Sequence, residues 1–201
     1  DAVRAADDSA DSVDCGPGVD TVYVEADFPA RDRLADCEVV EPIAPEAAAE
    51  TVPPSLFFGS VRPEVIHGTP GDDSILGNGG ADRLFAGGGD DYVDGGRGDD
   101  ELHGGPGDDV MAGRRDNDRI FGDGGNDRIT GDRGTDAIVG GGGDDAIFGN
   151  VGDDRIDGGS GADRIDIVGG GRDRVRCGSG TDRVFADADD RVAGDCERIS
   201  R

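Results

Sequence analysis

Eleven aspartates recur every nine residues: Asp73, Asp82, Asp91, Asp100, Asp109, Asp118, Asp127, Asp136, Asp145, Asp154 and Asp163. Each closes a glycine-rich hexad, as in Gly95-Gly-Arg-Gly-Asp-Asp100. Glycine tolerates positive φ and carries no Cβ, so such a hexad can turn tightly and point backbone carbonyls inward. The carbonyls in question belong to loop residues such as Gly77, Gly79, Gly87, Gly89, Gly95, Gly98, Gly104, Gly107, Gly122, Gly125, Gly140, Gly143, Gly149 and Gly158. The carboxylate adds hard oxygens beside them. An all-oxygen, flexible setting suits calcium, which takes about 6–8 oxygen ligands, better than zinc or copper. The spacing is that of ligands and not of a catalytic pair. No HExxH, no GxSxG and no lysine for a phosphate-binding loop is present, and no helix pattern follows the glycine runs. The expectation is a protein without catalysis of its own.

Something must hold these loops in place. Two residues after each aspartate stands an apolar residue: Ile75, Leu84, Val93, Leu102, Met111, Ile120, Ile129, Ile138, Ile147, Ile156 and Ile165. Three residues such as Asp100 to Leu102 suffice for a very short strand with one side chain inward. One unit cannot bury that residue alone, but stacked units build a thin apolar ladder. Two units per coil put Asp73, Asp91, Asp109, Asp127, Asp145 and Asp163 on one edge. Asp82, Asp100, Asp118, Asp136 and Asp154 fall on the other. Ions shared between loops eighteen residues apart would then number about nine. A disordered Gly/Asp-rich linker is the competing reading, and the expected state without calcium. It would not keep an apolar residue at every ninth place.

The phrase Gly-Gly-x-Gly-x-Asp-x-apolar-x resembles the hemolysin-type (RTX) calcium-binding nonapeptide repeat. The resemblance implies an all-β fold, a right-handed parallel β-roll with calcium held in its turns by Asp side chains and backbone carbonyls. It also implies a bacterial, secreted protein that folds on meeting extracellular calcium. The weakest repeat is Gly113-Arg-Arg-Asp-Asn-Asp118, where Arg114, Arg115 and Asp116 replace small residues. Sites using that loop are the ones in question.

Bulk properties agree. Among 201 residues, 46 are acidic and 20 basic, giving a net charge of −26; aromatic residues make up 4%. A large conventional core is excluded, and self-repulsion opposes compaction. About nine divalent ions would leave the charge near about −8, so binding and folding become one event. Such acidity argues against nucleic acid and anionic membranes as partners. No apolar run approaches transmembrane length and no signal peptide is seen. A start at Asp1 fits a mature product or a piece of something longer.

Residues 1–41 read as a small unit that duplicates the far end of the chain. Asp11-Ser-Val-Asp-Cys15-Gly-Pro-Gly-Val-Asp20 parallels Asp173-Arg-Val-Arg-Cys177-Gly-Ser-Gly-Thr-Asp182. Asp32-Arg-Leu-Ala-Asp-Cys37 likewise parallels Asp190-Arg-Val-Ala-Gly-Asp-Cys196. Four cysteines allow three pairings, and the duplication favours Cys15–Cys37 and Cys177–Cys196. Zinc finds no Cys-x-x-Cys and only His67 and His103 to assist. Disulfides imply an oxidising compartment and set this chain apart from the usual cysteine-poor members of the family it resembles. A solenoid end needs a seal, so residues 1–41 are expected to resemble the end cap of a preceding roll. Residues 42–60, rich in Pro and Ala, read as a linker, with Leu56-Phe57-Phe58 able to dock on the first coil. Residues 61–199 form the roll, entered by Glu64-Val65-Ile66 and capped over about 173–199. After Asp166 the beat slips by one residue, and poorer sites are expected beyond Asp163.

Arg83, Arg119, Arg128, Arg155, Arg164, Arg174 and Arg183 occupy outward strand places. A ligand-binding basic stripe is one reading; the favoured one lays them over neighbouring carboxylates. Phe85, Phe121, Phe148 and Phe185 fall on both edges and are expected to patch the surface. Together these point to a secreted calcium-binding β-roll module. The alternatives are an accessory module of a larger secreted enzyme (protease, lipase or epimerase) or a cell-surface adhesion element.

Overall fold

The computed structural model describes residues 54–200 in full and, before them, the backbone of five short strands. The chain divides into two units, Asp1–Thr51 and Val52–Arg201. In the first, β1 (Ala2–Ala5), β3 (Thr21–Val24) and β5 (Val39–Pro42) pair in parallel, as do β2 (Ser12–Asp14) and β4 (Arg33–Ala35). The expected Cys15–Cys37 bond lies outside the described residues.

The second unit is a parallel β-solenoid of about eight turns, with no helix among the described residues. Alternate strands enter alternate sheets because each nonapeptide supplies half a coil. One sheet holds β6 (Ser55–Phe58), β8 (Asp73–Leu76), β10 (Tyr92–Arg97), β12 (Val110–Arg115), β14 (Arg128–Arg133), β16 (Ala146–Val151), β18 (Arg164–Asp166), β20 (Arg183–Phe185) and β22 (Arg198–Ser200). The other holds β7 (Val65–His67), β9 (Arg83–Phe85), β11 (Glu101–Pro106), β13 (Arg119–Gly124), β15 (Ala137–Gly142), β17 (Arg155–Ser160), β19 (Arg174–Ser179) and β21 (Arg191–Val192). Ser55–Phe58, inside the stretch read as a linker, is thus a strand of the roll, paired with β8.

Register places identical positions of the phrase side by side: Leu102 faces Leu84 and Ile120, and Ile129 faces Met111 and Ile147. All eleven expected apolar residues are buried between the sheets, and Val175 and Val184 continue the ladder. Phe57 and Ile66 pack on it at one end, Val192 and Cys196 at the other. Each such side chain, fully buried, stabilises the fold by about 1.5–3 kcal/mol. The strands differ from expectation in length. From β10 to β17 each spans six residues and runs on into the glycines of the next hexad. The reason is that loop backbone pairs with loop backbone one coil away, as Gly96 does with Arg114. The one-residue slip after Asp166 leaves pairing intact, Ile156 facing Val175, because the extra residue is taken up between β18 and β19.

The expected end seal is present. Cys177 and Cys196 form a disulfide with Cα atoms 5.2 Å apart.

Candidate metal centre

Where each strand begins, the sixth-place aspartate turns back under the loop. All eleven expected aspartates are at most 3% exposed. Their carboxylates do two separate things. Oδ1 of Asp109 accepts the backbone N–H of Asp91 at 2.8 Å, and Oδ1 of Asp118 accepts that of Asp100 at 2.8 Å. The same bond, one coil back, is made along both edges, so each edge carries a continuous ladder of carboxylate and amide. The expected division of the aspartates between two edges is the one observed.

Oδ2 has no such partner. In Asp82, Asp91, Asp100, Asp109, Asp118, Asp127, Asp136, Asp145, Asp154 and Asp163 this oxygen is buried without a hydrogen-bond donor, and so it is in Asp173 and Asp182. An unsatisfied buried carboxylate oxygen costs several kcal/mol unless a cation or proton meets it. The first-place glycine explains the room left beside it. A Cβ on Gly104 would collide with Oδ2 of Asp109 and the carbonyl oxygen of Gly122. Gly95, Gly113, Gly122, Gly131 and Gly140 repeat the relation with Asp100, Asp118, Asp127, Asp136 and Asp145, each with a carbonyl from the next coil. Among the other loop glycines expected to contribute, Gly77, Gly149 and Gly158 hold the same first place, against Asp82, Asp154 and Asp163. Fourth-place Gly89, Gly98, Gly107, Gly125 and Gly143 have positive φ. Gly98, at φ 112°, must lack a Cβ because the Gly80 carbonyl of the previous coil lies against it. Gly87 is pressed on Thr69, whereas Gly79 has looser surroundings.

The electrostatics follow from this geometry. Burial, opposed by the Asp100 amide and reinforced by the charges of Asp136 and Asp100, pushes Asp118 up to about 8. Asp109 and Asp145 rise to about 7. Asp91, Asp100, Asp127, Asp136, Asp154 and Asp173 rise to about 6, burial again being the main cause. Asp82 and Asp163 shift the same way. A row of carboxylates reluctant to ionise is what a slender roll gives when no positive charge lies among them.

The two ends of the ladders differ. Asp73 has both oxygens engaged, Oδ1 by the Ser55 amide at 3.0 Å and Oδ2 by the Thr69 amide at 2.6 Å. Asp190 is likewise engaged on both oxygens, by the amides of Asp173 and Asp187. Glutamates replace aspartate at two terminal rungs, Glu64 next to Asp82 in space and Glu197 accepting from Asp182. The irregular Gly113–Asp118 loop keeps the backbone path, with Arg114 and Asp116 held at φ 78° and 75°. Arg114 is paired with Asp94 at 2.8 Å.

Fit to a cation can be judged from these donors. Among the described residues no three His, Cys, Asp or Glu side chains converge. Within those residues the donors are not those of a zinc-like cage of side chains but those of a hard-cation site built from one or two carboxylates and several carbonyls. The buried Oδ2 atoms with carbonyls beside them fit the latter. The model of the RTX calcium-binding nonapeptide repeat (4 copies) matches residues 67–102, 103–138, 130–165 and 167–193, well over half of the chain. The chain belongs to this family. A comparison with curated proteins finds no match. As an RTX protein, the chain is a calcium-binding module, and its fourth match spans Asp173 and Asp182, past the point where the strict nonapeptide ends.

Sequence reasoning missed a second ladder. Fifth-place side chains accept the amide one coil onward, the opposite direction from the sixth place. Asp108 Oδ1 accepts from Asn126 at 2.6 Å, and Asn126 Oδ1 accepts from Asp144 at 2.8 Å. The signal was faint because Asp and Asn serve equally when only an acceptor is needed. The outward arginines divide. Arg83 reaches Glu101 and Arg164 reaches Asp166, while Arg128 and Arg183 lie over Phe148 and Phe185. Phe85 and Phe121 stack with His67 and His103 in one row at 4.7–4.9 Å.

Proposed function

We propose that this RTX module is secreted and that extracellular calcium switches on its folding. The observation that carries the reading is the set of twelve buried Oδ2 atoms without donors. Calcium would supply the missing charge there, held by Asp82, Asp91, Asp100, Asp109, Asp118, Asp127, Asp136, Asp145, Asp154 and Asp163, with Asp173 and Asp182 extending the set. Loop carbonyls of the first- and fourth-place glycines complete the oxygen shell. Asp73, whose oxygens are both engaged by protein donors, serves chiefly as the end rung. About nine ions bind, one per pair of stacked loops, with affinities in the weak extracellular range, roughly 10⁻⁴ to 10⁻³ M. Without them the net charge of −26 and the unpaired carboxylates leave a disordered chain. The disulfide at Cys177–Cys196 supports an oxidising, extracytoplasmic setting.

Circular dichroism during calcium titration, followed by chelation, tests the reading. Calcium should convert a coil spectrum to a strand spectrum cooperatively, and chelation should reverse it. A spectrum indifferent to calcium, or one restored equally by magnesium, rejects the proposal.

A further inference from the structure

Arg155, Arg174 and Arg191 stand in register on β17, β19 and β21, one behind the other. Neighbouring strands lie about 4.8 Å apart, so three guanidinium-bearing side chains leave the sheet in a tight row. Like charges set opposite one another destabilise a sheet. Elsewhere Arg83, Arg114, Arg164 and Arg172 reach carboxylates and Arg128 and Arg183 lie over phenylalanine rings, while a second in-register row, Arg97, Arg115 and Arg133, stands at the loop ends of β10, β12 and β14. Among the described residues, the side chains of Arg155, Arg174, Arg176 and Arg191 have no hydrogen bond, ion pair or ring contact. All four are exposed. They surround one open depression of about 530 Å³, whose floor includes Val139, Val192 and Ala193, and Asp157 is its single acidic member. In a chain of net charge −26, four unpaired arginines on one face are a local inversion of sign.

We propose that this face binds a linear anionic polysaccharide, its carboxylate or sulfate groups following the row Arg155, Arg174, Arg191 while Arg176 braces the side. Basic rows of this kind serve sulfated glycans and nucleic acids alike. The depression offers no aromatic ring on which a base could stack, which disfavours single-stranded nucleic acid. The overall negative charge disfavours the dense phosphates of a duplex. A flexible polymer with its charges spaced along one line can follow the row and avoid the acidic loop edges.

The test uses the full chain, folded in saturating calcium, and three probes of stated chemistry. These are sulfated dextran, an oligogalacturonate and, as blank, neutral dextran, with binding read by affinity electrophoresis at two salt concentrations. The row variant carries Arg155→Gln, Arg174→Gln and Arg191→Gln. A control of equal charge change carries Arg83→Gln, Arg128→Gln and Arg183→Gln. The anionic glycans should retard the native chain in a salt-dependent way and neutral dextran should not. The row variant should weaken retardation by about tenfold or more, and the control should leave it within about twofold. No retardation of the native chain, or equal loss in both variants, overturns the proposal. A single-stranded oligonucleotide and polyglutamate are run alongside these three as competing anions, and tighter binding of either than of both glycans also overturns it. The strand spectrum in calcium, recorded for every variant, keeps the outcome separate from the calcium-gated folding on which it rests.

Discussion

Oδ1 of Asp118 receives the Asp100 amide at 2.8 Å, while Oδ2 of the same carboxylate is equally buried and receives nothing. One oxygen belongs to the scaffold and the other faces the space beside Gly113 and the Gly131 carbonyl. Substitution can separate the two roles. In Asp118→Asn the amide oxygen can keep the rung, while an NH2 group replaces the oxygen available to a cation. The variant should still fold at high calcium, with its titration midpoint raised by about tenfold and a lower stoichiometry. Isothermal titration gives both quantities. An unchanged midpoint would mean that this oxygen holds no ion.

Acid should act as a partial substitute for calcium. The unfolded chain ionises its aspartates near about 4. In the metal-free roll Asp91, Asp100 and Asp136 are raised to about 6, Asp109 and Asp145 to about 7, and Asp118 to about 8. A raised folded value means that the roll binds protons more tightly than the coil. Its contribution to stability is complete below about pH 4 and is lost as pH rises through 6 to 8. The calcium-free chain should therefore show more strand signal and a higher melting temperature at pH 5 than at pH 8. Calcium affinity should rise over the same interval, because proton and ion compete for Oδ2. Calorimetry at fixed pH steps in a chelator is the measurement. Metal-free stability that increases with pH contradicts the geometry.

Two glycines in neighbouring loops should respond very differently to a single methyl group. On Gly104 a Cβ meets Asp109 Oδ2 and the Gly122 carbonyl, and backbone cannot move aside without opening the ladder. On Gly124 it meets nothing within 4 Å. Gly104→Ala should cost more than about 2 kcal/mol in calcium, and Gly124→Ala less than about 0.5 kcal/mol. Chemical denaturation at fixed calcium distinguishes them, and equal effects would show that the first place is not crowded.

Much of this was legible beforehand, and the pattern of what was not is informative. The sixth-place aspartates and the apolar residues two places on, Asp100 and Leu102 for instance, are fixed by one position each, so a bare period of nine reveals them. The His67, Phe85, His103, Phe121 row recurs at eighteen and mixes two ring types, so no single-residue period marks it. The fifth-place ladder was hidden for a similar reason, since Asp108 and Asn126 both satisfy the requirement for an acceptor. Glu64 was legible because it falls one period ahead of Asp73, whereas Glu197 escaped because it accepts the Asp182 amide from outside a recognisable hexad. Extended strands were missed at Gly95 and Gly96 because glycine reads as a turn, although parallel loops one coil apart pair like strands.

The C-terminal disulfide is expected to hold an end rather than the whole. Cys177 is fully buried beside Val175, and Cys196 packs on the same cluster from beyond β21. The bond encloses β20 and β21, and the pairing of β21 with β19, two residues long, is the shortest of the roll. Closing a loop with a sequence separation of 19 contributes roughly 3 kcal/mol in the chain-entropy description. Repeats in a solenoid touch only their neighbours, so the loss should stay local at first. In calcium, Cys177→Ser with Cys196→Ser should accelerate hydrogen exchange at Val184 and at Ala193, whose amide donates to the Val175 carbonyl, by roughly a hundredfold, the equivalent of that stabilisation. Amides of Met111 and Ile120, several coils away, should keep their protection. Uniform loss of protection along the roll would mean instead that the coils melt as one cooperative block and that the bond stabilises all of them together.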